Sequence, residues 1–180
     1  ITVAGHDRAR DADAVRRVLS YLPEEAGAYK NLTGRQYLEF MASLYFANHD
    51  EQRRAVQYGA EICELGTRLD DKIGEYSKGM TRKLLIARTV MARPKLAILD
   101  EPTSGLVVVN AFEVRTIVKQ LAHDGMAVLL SSHNMLEIEF LSDRVAIIDK
   151  GKILATGTPE SLKHKYKATN LEEVFVGIVR

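Results

Sequence analysis

The sequence predicts an α/β protein organised around a parallel sheet. Two uninterrupted apolar runs, Leu96–Leu99 and Met126–Leu130, stop abruptly at polar residues, the first at Asp100-Glu101 and the second at Ser131-Ser132-His133. Short apolar runs bounded by breakers read as strands covered on both faces, as in a parallel sheet. Between them lie segments of helical period that open on capping residues and close on Gly or Pro. Strands alternating with helices define the α/β class.

The elements follow in order. Ile1–Ala4 reads as a short strand ended by Gly5-His6-Asp7. The charged stretch Asp7–Arg17 is a helical turn carrying Val15 and Val18 inward, and Val18–Leu22 is a strand stopped at Pro23. Glu24–Asn31 is a loop. Thr33-Gly-Arg-Gln36 is a capping box, and Tyr37, Phe40, Met41, Leu44 and Tyr45 follow at helical spacing as a stripe for packing the subdomain. After a break at Asn48-His-Asp50, Glu51–Leu65 is a second helix with Val56, Ala60 and Cys63 on one side, stopped by Gly66. Ser77 opens the next helix, Thr81–Met91, with Leu84, Ala87 and Met91 inward and Pro94 beyond its end. Asn110–His123 is a helix carrying Ala111, Val114, Val118 and Leu121 inward. Asn134-x-x-Glu137 caps a helix through Leu141. Lys150-Gly151 is a tight turn joining Arg144–Asp149 to Lys152–Ala155 in an antiparallel hairpin. Thr158-Pro159 and Asn170-x-x-Glu173 start the last two helices.

Composition narrows the function classes. At 180 residues the chain is long enough for one domain with an inserted subdomain. A net charge of +1 offers no electrostatic footprint for nucleic acid. The single cysteine, Cys63, excludes an internal disulfide framework and fits a reducing compartment. No apolar run approaches the ~20 residues of a membrane-spanning helix.

Three strand ends carry the chemistry: Glu24 after Leu22, Asp100 and Glu101 after Leu99, and His133 after Leu130. Open parallel sheets bind ligands at this edge. One carboxylate to order a metal's water shell, another to orient an attacking water, and an imidazole near a terminal phosphate would make a nucleotide-hydrolysing rim. The expectation is that these four side chains converge on one edge of one sheet. Ser77-Lys78-Gly79-Met80 opens a helix, where first-turn N–H groups and the macrodipole favour an anion; Ser77 serves equally as a plain cap.

In order and spacing these residues resemble the nucleotide-binding domain of ATP-binding cassette (ABC) transporters along essentially the whole chain. Leu96–Asp100 resembles the Walker B strand, with Glu101 at the catalytic glutamate, Ser104-Gly105-Leu106 at the D-loop and His133 at the switch histidine. Tyr76-Ser-Lys-Gly-Met80 is similar to the family signature, and Tyr21-Leu-Pro-Glu24 falls at the Q-loop. The resemblance implies a partial P-loop NTPase (RecA-like) core, residues 1–26 and 92–180, with an inserted helical signature subdomain, 27–91, and a C-terminal hairpin plus helices. It implies ATP and Mg²⁺ as cofactors: Asp100 and Glu24 toward the metal, Glu101 on the attacking water, and His133 on the γ-phosphate. Ser77, Lys78, Gly79 and Met80, with Ser104 and Gly105, would face ATP held by a second, head-to-tail subunit. The implied partner is a membrane permease used for export, and the implied location is the cytoplasmic face of the membrane.

Three departures qualify this. No G-x-x-x-x-G-K-[ST] loop occurs in these residues, so its place falls before Ile1, and the 180 residues alone are expected to bind ATP weakly and not turn it over. The Walker B strand is then expected to have an unpaired edge and an uncovered face. Val107 stands at the D-loop aspartate, and Glu24 replaces the Q-loop glutamine. Val107 favours a second reading, a non-catalytic module that docks or dimerises. A DNA-repair type of ABC ATPase ranks lower, because only two short helices, without sustained heptads, separate the Q-loop from the signature.

Overall fold

A computed structural model describes residues 1–179. The chain divides into two compact units, Ile1–Ser131 and Ser132–Arg180.

The first unit is built on a three-stranded parallel sheet in the order β3 (Leu19–Leu22), β4 (Leu96–Asp100), β5 (Ala127–Ser131). The register sets Tyr21 beside Ile98 and Ile98 beside Leu129, and it pairs Asp100 with Ser131. The expected unpaired edge on Leu96–Leu99 is therefore wrong: β4 is the middle strand, bonded on both sides, and β3 and β5 form the two edges of the sheet among the described residues. The uncovered face is real. Leu22, Ala97 and Leu99 are fully buried, whereas the opposite row leaves Tyr21 exposed, Ile98 half-buried and Leu129 57% exposed. Met126–Leu130, expected to be buried on both faces, instead alternates between exposed and half-buried positions as an edge strand.

Ahead of the sheet, β1 (Thr2–Val3) and β2 (His6–Asp7) form a two-stranded antiparallel ribbon outside the parallel sheet. The opening strand therefore turns back at Ala4-Gly5, both at positive φ. Helix α1 (Ala12–Val18) takes Val18 out of the expected strand.

After a loop that follows β3, residues 34–90 are mostly helical. Helix α2 (Gly34–Tyr45) begins with a complete capping box: Thr33 Oγ1 accepts from Gln36 N at 3.1 Å, and Gln36 Oε1 accepts from Thr33 N at 3.0 Å. Its buried side is Gly34, Tyr37, Leu38 and Ala42, not the full expected stripe; Phe40, Leu44 and Tyr45 are exposed. The small residues explain the rotation. A Cβ at Gly34 would lie 2.9 Å from Leu69 Cδ1, so helix and following turn meet where α2 is narrowest. Asn48 proves to be a cap rather than a breaker, accepting from Asp50 N at 2.7 Å, and α3 (His49–Cys63) buries Ala55, Gly59 and Cys63. Two 3₁₀ turns lead to α4 (Lys78–Val90), whose N-cap is Ser77. Helix α5 (Val108–His123) follows β4 and buries Ala111, Val114, Ile117, Val118 and Leu121; Lys83 on α4 reaches Glu113 on α5 at 2.9 Å.

The second unit contains α6 (Met135–Leu141), the hairpin β6 (Val145–Asp149) and β7 (Lys152–Gly157), α7 (Pro159–Tyr166) and α8 (Leu171–Val179). The hairpin turn holds Lys150 and Gly151 both at positive φ, which matches the right-handed twist of the flanking strands. Thr158 caps α7 with Pro159 at its first position, as expected.

Candidate functional site

The parallel register brings the ends of β3 and β4 to one edge, and the first site residues gather there. Asp100 is the last residue of β4 and lies on the open face of the sheet. Tyr21 Oη donates to its Oδ2 at 3.2 Å, and Ser131 Oγ donates to its Oδ1. Both oxygens are thus fixed by hydroxyls from the two flanking strands. The phenol of Tyr21 is pushed up in pKa, first by desolvation and then by the Asp100 carboxylate, so it remains a donor. Glu101 leaves the strand in the left-handed region, φ +45°, its N–H donating to Ser131 O at 3.0 Å. A non-glycine residue held there is uncommon, and such conformations concentrate at functional sites.

Two residues past the end of β3, Glu24 is exposed, and its Oε1 accepts from Ser104 Oγ at 3.0 Å. This joins the loop after β3 to the loop after β4. Arg82 on α4 donates from Nη2 to the Glu24 carbonyl at 2.9 Å.

The N-terminus of α4 lies against the same loop. Ser77 Oγ accepts from Met80 N at 3.2 Å, so the cap is made. Gly79 is buried where any Cβ would collide with Asn110 of α5, and a Cβ at Gly105, φ +64°, would collide with Lys78 Nζ. Glycine at 79 is therefore demanded by helix–helix approach, and Lys78 lies along the loop carrying Ser104 and Gly105. Val107–Val109 are all exposed, Val108 at 81%. His133 belongs to the second unit, exposed just before the Asn134 cap of α6, where Ser132 Oγ donates to the buried Glu137 at 2.7 Å.

The structure thus brings Glu24, Asp100, Glu101, Ser104, Gly105 and the Ser77–Met80 segment together within the first unit. Sequence reasoning missed Tyr21, Ser131, Arg82 and Asn110. Ser131 was legible as the residue paired with Asp100 once the two strands were set parallel. Arg82 lies off the stripe of Leu84, Ala87 and Met91 that the periodicity marks as inward, and its burial depends on the Glu24 loop packed against α4.

An open parallel sheet with polar groups at its carboxyl edge, and a helical insertion returning a capped helix to that edge, defines the class of P-loop-type nucleotide-binding cores. Comparison with known proteins agrees. The family described as ABC transporter matches residues 1–104. The linearmycin resistance ATP-binding protein LnrL of Bacillus subtilis is 36% identical over 162 residues, covering 90% of this chain and 52% of that protein. The daunorubicin/doxorubicin resistance ATP-binding protein DrrA of Streptomyces peucetius is 37% identical over 164 residues, 89% of this chain and 49% of that one. A solved structure described as the ATP-binding subunit of an ABC transporter superposes with a TM-score of 0.81 at 26% identity, over 99% of this chain and 75% of that one. The chain belongs to the ABC transporter family, within its ATP-binding domain. It spans about half the length of these two relatives.

Proposed function

We propose that this chain is part of an ATP-binding subunit that hydrolyses ATP, paired head-to-tail with a second such subunit on the inner face of a membrane, to drive export through a permease. The observation that carries this reading is the Asp100-Glu101 pair at the end of the central strand. One carboxylate there is fixed by two hydroxyls, and the next is turned out of the strand at positive φ. Among the described residues no helix is long and apolar enough to cross a membrane. Exposed Tyr29, Phe40 and Tyr45, with Tyr29 edge-on to Phe40 at 5.6 Å, offer a surface near the Glu24 loop for the permease.

The residues fit the implied cofactors. Among the described residues no three His, Cys, Asp or Glu side chains cluster as a metal cage. Mg²⁺ in phosphoryl-transfer sites uses only one or two carboxylates plus water and phosphate, and Asp100 with Glu24 could supply them. Mg²⁺, when bound, would neutralise charge on the phosphates. Asp100 holds an acceptor pair in fixed orientation, and Glu101 would accept a proton from the attacking water. Ser77 and Gly79 present the positive end of α4 to the nucleotide of the second subunit.

The test is Mg·ATP hydrolysis and substrate efflux by the full-length subunit assembled with its permease in lipid vesicles. Hydrolysis that stops with Glu101→Gln supports the proposal, and an assembly that transports without consuming ATP overturns it. A non-catalytic docking module is the second reading, favoured by Val107 and the exposed valines after it; ATP binding without hydrolysis in the same assay would establish it.

A further inference from the structure

Arg82 is a charged residue among the buried positions of α4, which include Gly79, Leu84, Leu85, Ile86 and Val90. It is only 7% exposed. Nη2 is satisfied by the Glu24 carbonyl at 2.9 Å, but Nη1, equally enclosed, has no hydrogen-bond partner. Arg82 and Glu24 line one pocket of about 370 Å³ together with Glu25, Lys78 and Ser104. A guanidinium does not shed its proton, so its loss of water has to be offset by hydrogen bonds or opposite charge. Here one bond goes to a neutral carbonyl and the other nitrogen has none. Burial depresses the Arg82 pKa, and the charge of Glu24 acts against that.

We infer that Arg82 is a positioning residue that ties Glu24 to the α4 helix, and that position 24 carries a carboxylate because the buried guanidinium requires a counter-charge. Arg82 grips the backbone of Glu24, and Ser104 grips its side chain. A shift of α4 is thereby carried to the loop after β3 and, through Ser104, to the loop after the Asp100-Glu101 strand. The inference rests on the proposed nucleotide site for its functional half, and for its energetic half on the shared pocket, the unpartnered Nη1 and the charge of Glu24 acting on Arg82. The two halves have separate tests.

The energetic test is a double-mutant cycle on Glu24→Gln and Arg82→Met in the full-length subunit, read by thermal unfolding. Glu24→Gln leaves a buried cation uncompensated, so it lowers the midpoint when residue 82 is Arg. In the Arg82→Met background the same change has little effect. An equal drop in both backgrounds overturns the pairing. If Arg82→Met does not accumulate, Arg82→Gln closes the same cycle. The functional test is hydrolysis by the assembled transporter. Arg82→Met lowers kcat roughly tenfold to a hundredfold, the range of a misplaced catalytic loop, with little change in KM for ATP. Arg82→Lys restores only part of it, because an ammonium lacks the planar fork. Coupled midpoints with unchanged kcat overturn the positioning role. A wild-type assembly that does not hydrolyse ATP overturns the nucleotide-site reading, while the thermal cycle still decides the charge pairing.

Discussion

Tyr21 and Asp100 lie on neighbouring parallel strands, one diagonal apart, and the phenol donates to the carboxylate at 3.2 Å. With Ser131 on the other side, this bond limits rotation of the carboxylate. Tyr21→Phe and Ser131→Ala each remove one donor without altering strand propensity much. Each is expected to raise the Mg²⁺ concentration for half-maximal ATP hydrolysis by roughly threefold to tenfold, the value of one hydrogen bond of about 1 kcal/mol. Titration of Mg²⁺ at saturating ATP in the assembled transporter checks it. An unchanged Mg²⁺ requirement in both variants means the hydroxyls do not orient Asp100.

Gly79 and Asn110 are in direct opposition, since a methyl group at 79 would overlap Asn110. Gly79→Ala should destabilise the full-length subunit by about 1–3 kcal/mol, as overpacking does. Asn110→Ala frees that space, so the double variant should regain most of the loss. Urea unfolding of the four proteins decides. No recovery would locate the strain elsewhere.

Much of the fold was legible where local chemistry and tertiary packing agree. The capping box at Thr33, the Ser77 cap, the Lys150-Gly151 turn and the Leu96–Asp100 strand are each fixed by residues a few positions apart. The errors arise where neighbours decide. The buried side of α2 runs through Gly34, Tyr37, Leu38 and Ala42, with Leu69 of the turn after α3 packed close on Gly34, an approach that hydrophobic periodicity does not weigh. Met126–Leu130 reads as fully covered by composition, yet becomes an open edge, since strand order is set by pairing and not by apolar content. At the site, the carboxylates were visible as letters after an apolar run. The hydroxyls that hold Asp100 depended on register, and Glu101's left-handed backbone on the turn that follows.

Glu139 and Lys163 form a close ion pair in the second unit, and Glu139 also accepts from the N–H of Leu171 at 3.2 Å, tying α6 to both α7 and the start of α8. The Lys163 bond is the main cause holding the Glu139 carboxyl below the usual glutamate range, and Glu139 holds Lys163 above the usual lysine range. A depressed carboxylate contributes stability above its unfolded pKa and loses it as pH falls through the folded value. A raised lysine contributes below its unfolded pKa and loses it only as pH rises through the folded value. The pair therefore supports the unit across the neutral range and fails in acid and in strong base. Glu139→Gln should lower the thermal midpoint by a few degrees at pH 7 and have little effect at pH 3. Midpoints that fall equally at both values would assign the loss to packing.

Glu101 combines a strained backbone with the proposed role on the attacking water, and the two can be separated. Its φ of +45° is one that asparagine and glycine occupy more readily than glutamate. Were the position merely a turn, Glu101→Gly would stabilise the chain and leave hydrolysis intact. If the carboxylate takes a proton, Glu101→Gln keeps shape and backbone but loses the base. It should then lower kcat by about 10²–10⁴ while ATP binding persists. Glu101→Gly should match that loss in kcat even as it raises the unfolding midpoint. Single-turnover hydrolysis with a parallel nucleotide-binding measurement distinguishes the outcomes. Retained turnover in Glu101→Gln would move the general base to another residue and leave Glu101 a turn residue held in an unfavourable conformation.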